Sequence, residues 1–130
     1  MLHIDSLSRI PIYEQITCEI ETFILTGVLK AGEQIPSVRR LSESESINPR
    51  TILKAYSDLD ARGIITAVPG KGYFISADAV RLLSEGKREK LKTFLALAEE
   101  LSTAGIGREE LDALLDRAYE AKQQARAESD

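Results

Sequence analysis

Three side chains near the start of one predicted helix have the chemistry to bind a polyanion. Arg50 and Lys54 are four residues apart with Thr51 between them, so a helix places Arg50 and Lys54 on one face with Thr51 at its edge. Arginine can form a bidentate pair with a guanine edge or a phosphate, and threonine can donate to a phosphate or contact a thymine methyl. The lysine is a candidate for either kind of contact. The other face is apolar and requires a core; it carries Ile52, Ala55, Tyr56 and Leu59.

Two further groups have similar chemistry elsewhere in the chain. Ser37 and Arg39 stand at the start of a short predicted helix, where they can contact phosphates, whereas Arg40 points about 100° away from Arg39. The segment from Gly70 through Lys71 to Gly72 places one cation between two residues without side-chain bulk. Such a tip can approach a nucleic-acid backbone closely. Ordinary surface charges and a simple tight turn are the alternative interpretations.

Composition narrows the function classes. The net charge is −4, yet the stretch from Lys30 to Gly72 holds seven cations and five anions, so the acidic residues gather mainly in the flanks. Cys18 and His3 are the single cysteine and the single histidine, so we expect no internal disulfide, no metal site and no Cys–His catalytic pair. No nucleophile–base pair and no cofactor loop is recognisable. We therefore expect a protein that is not an enzyme and needs no cofactor.

The pattern of turns and apolar residues predicts the elements that position these groups. A helix begins at Pro11 and ends before Gly27, a short helix follows Pro36 and Ser37, and a third helix runs from Pro49 to about Arg62. Asn48 is a favourable N-cap for the third helix. Strands at 64–68 and 73–75 then form a β-hairpin. The fold class predicted is mainly α with a small β-hairpin wing: a winged helix-turn-helix domain over residues 1–76.

Residues 77–130 differ in composition and predict an amphipathic helical hairpin with a break at 104–107. Two helices cannot bury both of their apolar faces alone, so a second copy of the chain is expected to complete the packing. Packing of both helices back onto their own domain is the alternative. The residues predicted to form the dimer contact are Leu91, Phe94, Leu95, Ala98, Leu101, Leu111, Leu114, Leu115 and Tyr119.

Several segments share one register with a known family. The chain closely resembles the GntR family of bacterial winged-helix regulators over about residues 9–76. The segments that carry the resemblance are Pro11 to Ile16, Leu29 to Leu41, Asn48 to Tyr56 and Pro69 to Phe74. The short helical tail resembles the YtrA-like subfamily. The resemblance implies a homodimer that binds a double-stranded DNA operator, usually as a repressor, and a regulon of transporter or cell-envelope genes. The family positions that contact DNA match Ser37, Arg39, Asn48, Arg50, Thr51, Gly70, Lys71 and Gly72; the residue analysis adds Lys54.

One position departs from that pattern. The turn before the third helix usually carries glycine, and here it is Ser46, with Glu43 and Glu45 making the turn acidic. The rival hypothesis is a winged-helix module that binds proteins and not DNA. No membrane span, secretory signal or polar effector cluster is recognisable, so we expect a cytoplasmic protein with no membrane partner and an effector that the sequence does not identify.

Overall fold

Three helices and three short strands make up the first part of the chain. The computed structural model describes residues 2–129, with side chains described to residue 124. The elements are α1 (Ile12–Leu25), β1 (Gln34–Ile35), α2 (Val38–Glu45), α3 (Pro49–Ala61), β2 (Ile65–Val68) and β3 (Gly72–Ile75), followed by α4 (Ala79–Arg88), α5 (Lys90–Thr103) and α6 (Arg108–Ser129).

The helix boundaries follow from local capping chemistry. Ser37 precedes α2 and its hydroxyl oxygen accepts a hydrogen bond from the backbone N–H of Arg40 at 3.1 Å. Asn48 precedes α3 and its Oδ1 accepts from the backbone N–H of Arg50 at 2.9 Å, with Pro49 in the first helical position. These two predicted helix starts are confirmed. Helix α1 ends close to Gly27, whose φ of 84° lies in the region that favours glycine.

The apolar faces of these elements meet in one core. Tyr56 on α3, Ile16 on α1 and Ile65 on β2 are buried members of this core. Two residues of α4, Ala79 and Leu83, are part of the same core. The full set of buried apolar residues is Ile16, Ile20, Ile24, Ile35, Leu41, Ile52, Ala55, Tyr56, Leu59, Ile64, Ile65, Ile75, Ala79 and Leu83.

The predicted β-hairpin is part of a three-stranded antiparallel sheet in the order β1-β3-β2. Val68 pairs with Gly72 at the tip of the hairpin, and Ile65 pairs with Ile75 at its base. The third strand, β1, was not predicted from the sequence; in it Gln34 pairs with Phe74. A strand of two residues carries no periodic pattern, and only its pairing with β3 identifies it.

The chain divides into two compact units after Leu83. We call the part up to Leu83 the N-terminal unit and the part from Ser84 the C-terminal unit. The division falls later than the boundary expected after residue 76, because the start of α4 packs into the core of the N-terminal unit. Within the described residues, no helix is long and apolar enough to cross a membrane.

The C-terminal unit consists of the end of α4 together with α5 and α6. The first half of the predicted helical hairpin, before the break at 104–107, is interrupted at Glu89, so that α4 and α5 are separate helices. The break predicted at 104–107 is confirmed: Gly105 has a φ of 88°, and the backbone N–H of Ile106 donates to the carbonyl of Leu101 at 3.1 Å.

Candidate nucleic-acid interface

The N-terminal end of α3 displays the cationic face that the sequence predicts. Arg50 and Lys54 are exposed and Thr51 is half-buried at the edge of this face. The three side chains line one open cleft of about 440 Å³, together with Ile12 and Tyr13 at the start of α1. The structure therefore brings these three predicted residues together, on the outer side of a helix whose inner side is core.

Lys54 has an aromatic neighbour that sequence reasoning missed. Its ammonium nitrogen lies 4.1 Å from the centroid of the Tyr13 ring, within the range of a cation–π contact. The Tyr13 hydroxyl donates to the Glu14 carboxylate at 3.2 Å, and this hydrogen bond together with the carboxylate charge raises the Tyr13 pKa. This contact orients the Lys54 side chain from α3 toward α1.

Helix α2 displays a second cation, which is paired. The Arg39 Nε donates to Glu43 Oε1 at 3.2 Å, one helical turn further along, and both side chains remain largely exposed. Arg40 lines a different cleft, with Ser37 and Gln34. The charge of Glu43 is evident from the sequence, but its pairing with Arg39 was not predicted.

The turn between α2 and α3 has a specific backbone conformation. Ser46 has φ 55° and ψ 44°, which makes it the one non-glycine residue with positive φ among the described residues. This left-handed conformation is one that glycine adopts without the steric cost that a Cβ atom brings. The backbone N–H of Ser46 donates to the carbonyl of Ser42, and the Ser42 hydroxyl donates to the carbonyl of Ile47 at 2.6 Å. The turn therefore keeps the glycine-type geometry without glycine.

Two polar contacts fix α3 relative to the other helices. The buried Tyr56 hydroxyl donates to the carbonyl of Pro36, just before α2, at 2.7 Å. Burial raises the Tyr56 pKa. At the far end, Arg62 donates to the nearly buried Glu21 of α1 at 2.7 Å and pairs with Asp58 at 2.9 Å. Burial alone would lower the Arg62 pKa, but these carboxylates raise it.

The hairpin of β2 and β3 has an exposed basic tip. Lys71 is exposed between Gly70 at φ 77° and Gly72 at φ 124°. The turn is closed by the backbone N–H of Lys71, which donates to the carbonyl of Val68 at 2.9 Å. Gln34 of β1, which the sequence analysis did not single out, donates from Nε2 to the Lys71 carbonyl at 2.7 Å.

The C-terminal unit leaves large apolar side chains exposed. Phe94 and Leu114 are each more than half exposed, and they line an apolar groove of about 290 Å³ between α5 and α6. The groove contains most of the residues predicted for dimerisation, and adds Leu97 and Ala118, which the sequence analysis did not select. Leu91, Leu95 and Tyr119 are exposed but do not line the groove. The groove is formed by Phe94, Leu97, Ala98, Leu101, Leu111, Leu114, Leu115 and Ala118.

The fold is that of a winged helix-turn-helix protein, with α2, the turn at Ser46 and α3 as the motif and the β2–β3 hairpin as the wing. In this class the second helix of the motif enters the DNA major groove. Residues 12–75 match the model of the bacterial regulatory proteins of the gntR family. Over 112 residues, covering 85% of this chain and 86% of the relative, the chain is 40% identical to the HTH-type transcriptional repressor YtrA of Bacillus subtilis.

Solved structures agree with the family match. A GntR family transcriptional regulator from Listeria monocytogenes superimposes with a TM-score of 0.71 at 33% identity, over 88% of this chain and 98% of that one. The DNA-binding domain of AraR in complex with operator ORX1 superimposes with a TM-score of 0.52 at 31% identity, over 58% of this chain and 93% of that one.

The chain therefore belongs to the GntR family and is a DNA-binding transcription regulator. The predicted fold class, a winged helix-turn-helix domain with C-terminal helices, is confirmed. The family and these relatives are transcription regulators, so the expectation that the chain is not an enzyme is confirmed as well.

Proposed function

We propose that the protein is a repressor that binds a palindromic operator as a homodimer, with α3 in the major groove and the wing tip against the backbone. The observation that carries the proposal is the exposed cationic end of α3, where Arg50, Thr51 and Lys54 line one cleft. The N-terminal end of a helix also favours phosphate through its unpaired N–H groups and its dipole.

The capping residues can serve the same interface. Ser37 and Asn48 use their oxygen atoms to cap α2 and α3, so the Ser37 hydroxyl hydrogen and the Asn48 amide nitrogen are the donors that can reach a phosphate. Arg39 can add a phosphate contact from α2, and Lys71 can add one from the wing, where Gly70 and Gly72 allow close approach. Together these residues form the DNA face that we propose.

The proposed dimer uses the C-terminal unit. The apolar groove between α5 and α6 would expose Phe94, Leu97 and Leu114 to water in a single chain. A second copy that packs its own α5 and α6 into this groove would remove that surface from water and form a four-helix arrangement. The remaining predicted contacts, Leu91, Leu95 and Tyr119, would lie at the margin of this dimer interface.

A selection of bound sequences from random duplex DNA tests the proposed operator. We expect two related half-sites in inverted orientation with centres about 34 Å, or about 10 base pairs, apart. Arg50→Ala should weaken binding to the selected operator by about 1–3 kcal/mol and relax one position of each half-site. Lys71→Ala should weaken binding to all sequences. It should also reduce the salt slope, the slope of the logarithm of affinity against the logarithm of salt concentration, by about one.

Lys92→Ala is the matched control, because it removes an exposed cation from α5, outside the proposed DNA face. We expect no change in operator affinity from this variant. If Arg50→Ala and Lys71→Ala also leave DNA affinity unchanged, the rival hypothesis of a protein-binding winged-helix module is favoured.

Sedimentation of the full chain at micromolar concentration tests the dimer. We expect a dimer for the wild type and a monomer for the double variant Phe94→Glu/Leu114→Glu, because two carboxylates would have to be buried in the interface. Leu7→Glu is the control, since Leu7 is 93% exposed and precedes α1 in the N-terminal unit. A wild-type chain that sediments as a monomer contradicts the proposed assembly.

The proposed regulon is transporter or cell-envelope genes, which rests on the resemblance to YtrA-like regulators alone. We propose a cytoplasmic location because that is where a bacterial operator lies. Mapping of the bound sites on the chromosome tests the regulon; sites confined to other classes of gene would contradict it.

A further inference from the structure

One side chain outside the predicted DNA face contacts the wing tip directly. Gln34 of β1 donates from Nε2 to the main-chain carbonyl of Lys71 at 2.7 Å, across 37 positions of sequence. The Lys71 side chain is exposed, so the position of its ammonium group depends on the position of the Lys71 backbone. The hydrogen bond from Gln34 therefore restrains the backbone that carries the one cation of the wing tip.

The conformation of Gly72 supports the same contact. A Cβ atom built on Gly72 would lie 2.7 Å from the Gln34 Nε2, closer than real Cβ atoms approach their neighbours. Gly72 also has a φ of 124°, which side chains rarely adopt. A Cβ on Gly70 would meet nothing within 4 Å. The two glycines of the tip thus differ, and only Gly72 makes room for the glutamine amide.

The backbone of β1 holds Gln34 firmly in place. Its neighbour Ile35 is only 3% exposed and is part of the core. The backbone N–H of Ile75 donates to the Glu33 carbonyl at 2.9 Å, which ties β1 to β3 on the other side of Gln34. Ser37, the cap of α2, is three residues further along. One short segment therefore connects the start of α2 to the wing tip.

We propose that Gln34 is a positioning residue that holds the wing tip at the DNA backbone, so that Lys71 meets a phosphate at a fixed distance from α2. The bond from Gln34 adds to the turn-closing bond from the Lys71 N–H to the Val68 carbonyl and links the tip to β1. This inference rests on the proposed function, because it presupposes that Lys71 contacts DNA.

Operator binding by the full chain tests the inference through a double-mutant cycle. Gln34→Met keeps the length of the side chain and removes the donor, Lys71→Ala removes the cation, and the third variant carries both changes. Affinity is measured by fluorescence anisotropy at several salt concentrations between about 50 and 200 mM, a range over which one lost phosphate contact changes affinity by roughly threefold. Melting temperatures are measured for every variant.

We expect Lys71→Ala to reduce the salt slope by about 0.9 and Gln34→Met to reduce it by about half that amount or more. In the Lys71→Ala background, Gln34→Met should change affinity by less than about twofold, since it acts through Lys71. A residue that served stability alone would shift the melting temperature without this dependence on Lys71.

Three results would overturn the inference. Gln34→Met could reduce affinity by the same factor in both backgrounds, or it could leave the salt slope unchanged while Lys71→Ala alters it. If Lys71→Ala itself changes nothing, the proposed wing contact fails together with the inference, and Arg50→Ala shows independently whether α3 binds DNA.

Discussion

Replacing Ser46 with glycine should stabilise the N-terminal unit while leaving DNA binding unchanged. Ser46 has φ 55° and ψ 44°, a left-handed conformation that costs a residue with a Cβ roughly 1–2 kcal/mol. Glycine removes that cost but gives up about 0.5–1 kcal/mol through the larger entropy of its unfolded chain. The net gain is about 0.5–1 kcal/mol, which corresponds to a rise in melting temperature of about 3–6 °C for a unit of this size.

Thermal unfolding followed by circular dichroism measures this gain. Ser44→Gly is the matched control, because Ser44 is an exposed serine two residues earlier, inside α2. Glycine there should lower the free energy of unfolding by up to about 1 kcal/mol. Gly32→Ser is the reverse test, since Gly32 has a φ of 85° and open space around it. We expect Gly32→Ser to lower the melting temperature.

Ser46→Gly should keep operator affinity within about twofold of the wild type, because the turn already has the geometry that glycine prefers. A variant that is no more stable than the wild type would refute the reasoning that Ser46 is strained. A variant that is more stable but binds DNA much more weakly would refute the reasoning that the turn geometry is unchanged.

Three further predictions concern the polar contacts around α3. Glu43→Gln should raise DNA affinity in a gel-shift assay about threefold or more, because it frees Arg39 and removes one anion near the phosphates; unchanged affinity contradicts this. Arg62→Met should cost about 2 kcal/mol in urea unfolding, since it leaves the nearly buried Glu21 carboxylate unpaired; a loss below about 0.5 kcal/mol contradicts this. Tyr56 has a raised pKa in the folded state, so its stabilising contribution is present below the unfolded value of 10.0 and is lost as pH rises above it. Urea unfolding at about pH 8 and pH 11 should show this loss in the wild type and a smaller one in Tyr56→Phe; equal losses contradict it.

The sequence predicted the parts of the fold that local chemistry determines. Ser37 and Asn48 cap α2 and α3 because a short polar side chain at a helix start can satisfy a free N–H within its own neighbourhood. The two-residue strand β1 has no such local pattern. Its identity depends on β3, far along the chain, and the boundary of the N-terminal unit depends in the same way on the burial of Leu83.

The same distinction applies to the candidate site. Arg50, Thr51 and Lys54 share a face because helix geometry fixes their spacing, and the sequence shows that directly. The contact between Lys54 and Tyr13 joins α3 to α1, and the hydrogen bond from Gln34 joins β1 to the wing. Both contacts join residues that are far apart in the sequence, so the spacing of residues along the chain does not predict them and only the packed structure identifies them.

The partly engaged cations bear on how the protein would discriminate its operator from other DNA. Non-specific affinity rises with the number of free cations that can release counterions from phosphates. Arg39 is paired with Glu43, and Lys54 lies against Tyr13, so neither is fully available to an arbitrary duplex. If Arg50 reads a base as proposed, a specific site can offset the cost of breaking these contacts through base-edge hydrogen bonds, whereas a random site cannot. The acidic net charge of −4 further lowers non-specific attraction. Acidic residues close to the proposed DNA face are therefore compatible with sequence-specific binding, because the operator complex has base-edge contacts to compensate for weaker phosphate attraction and a random complex does not.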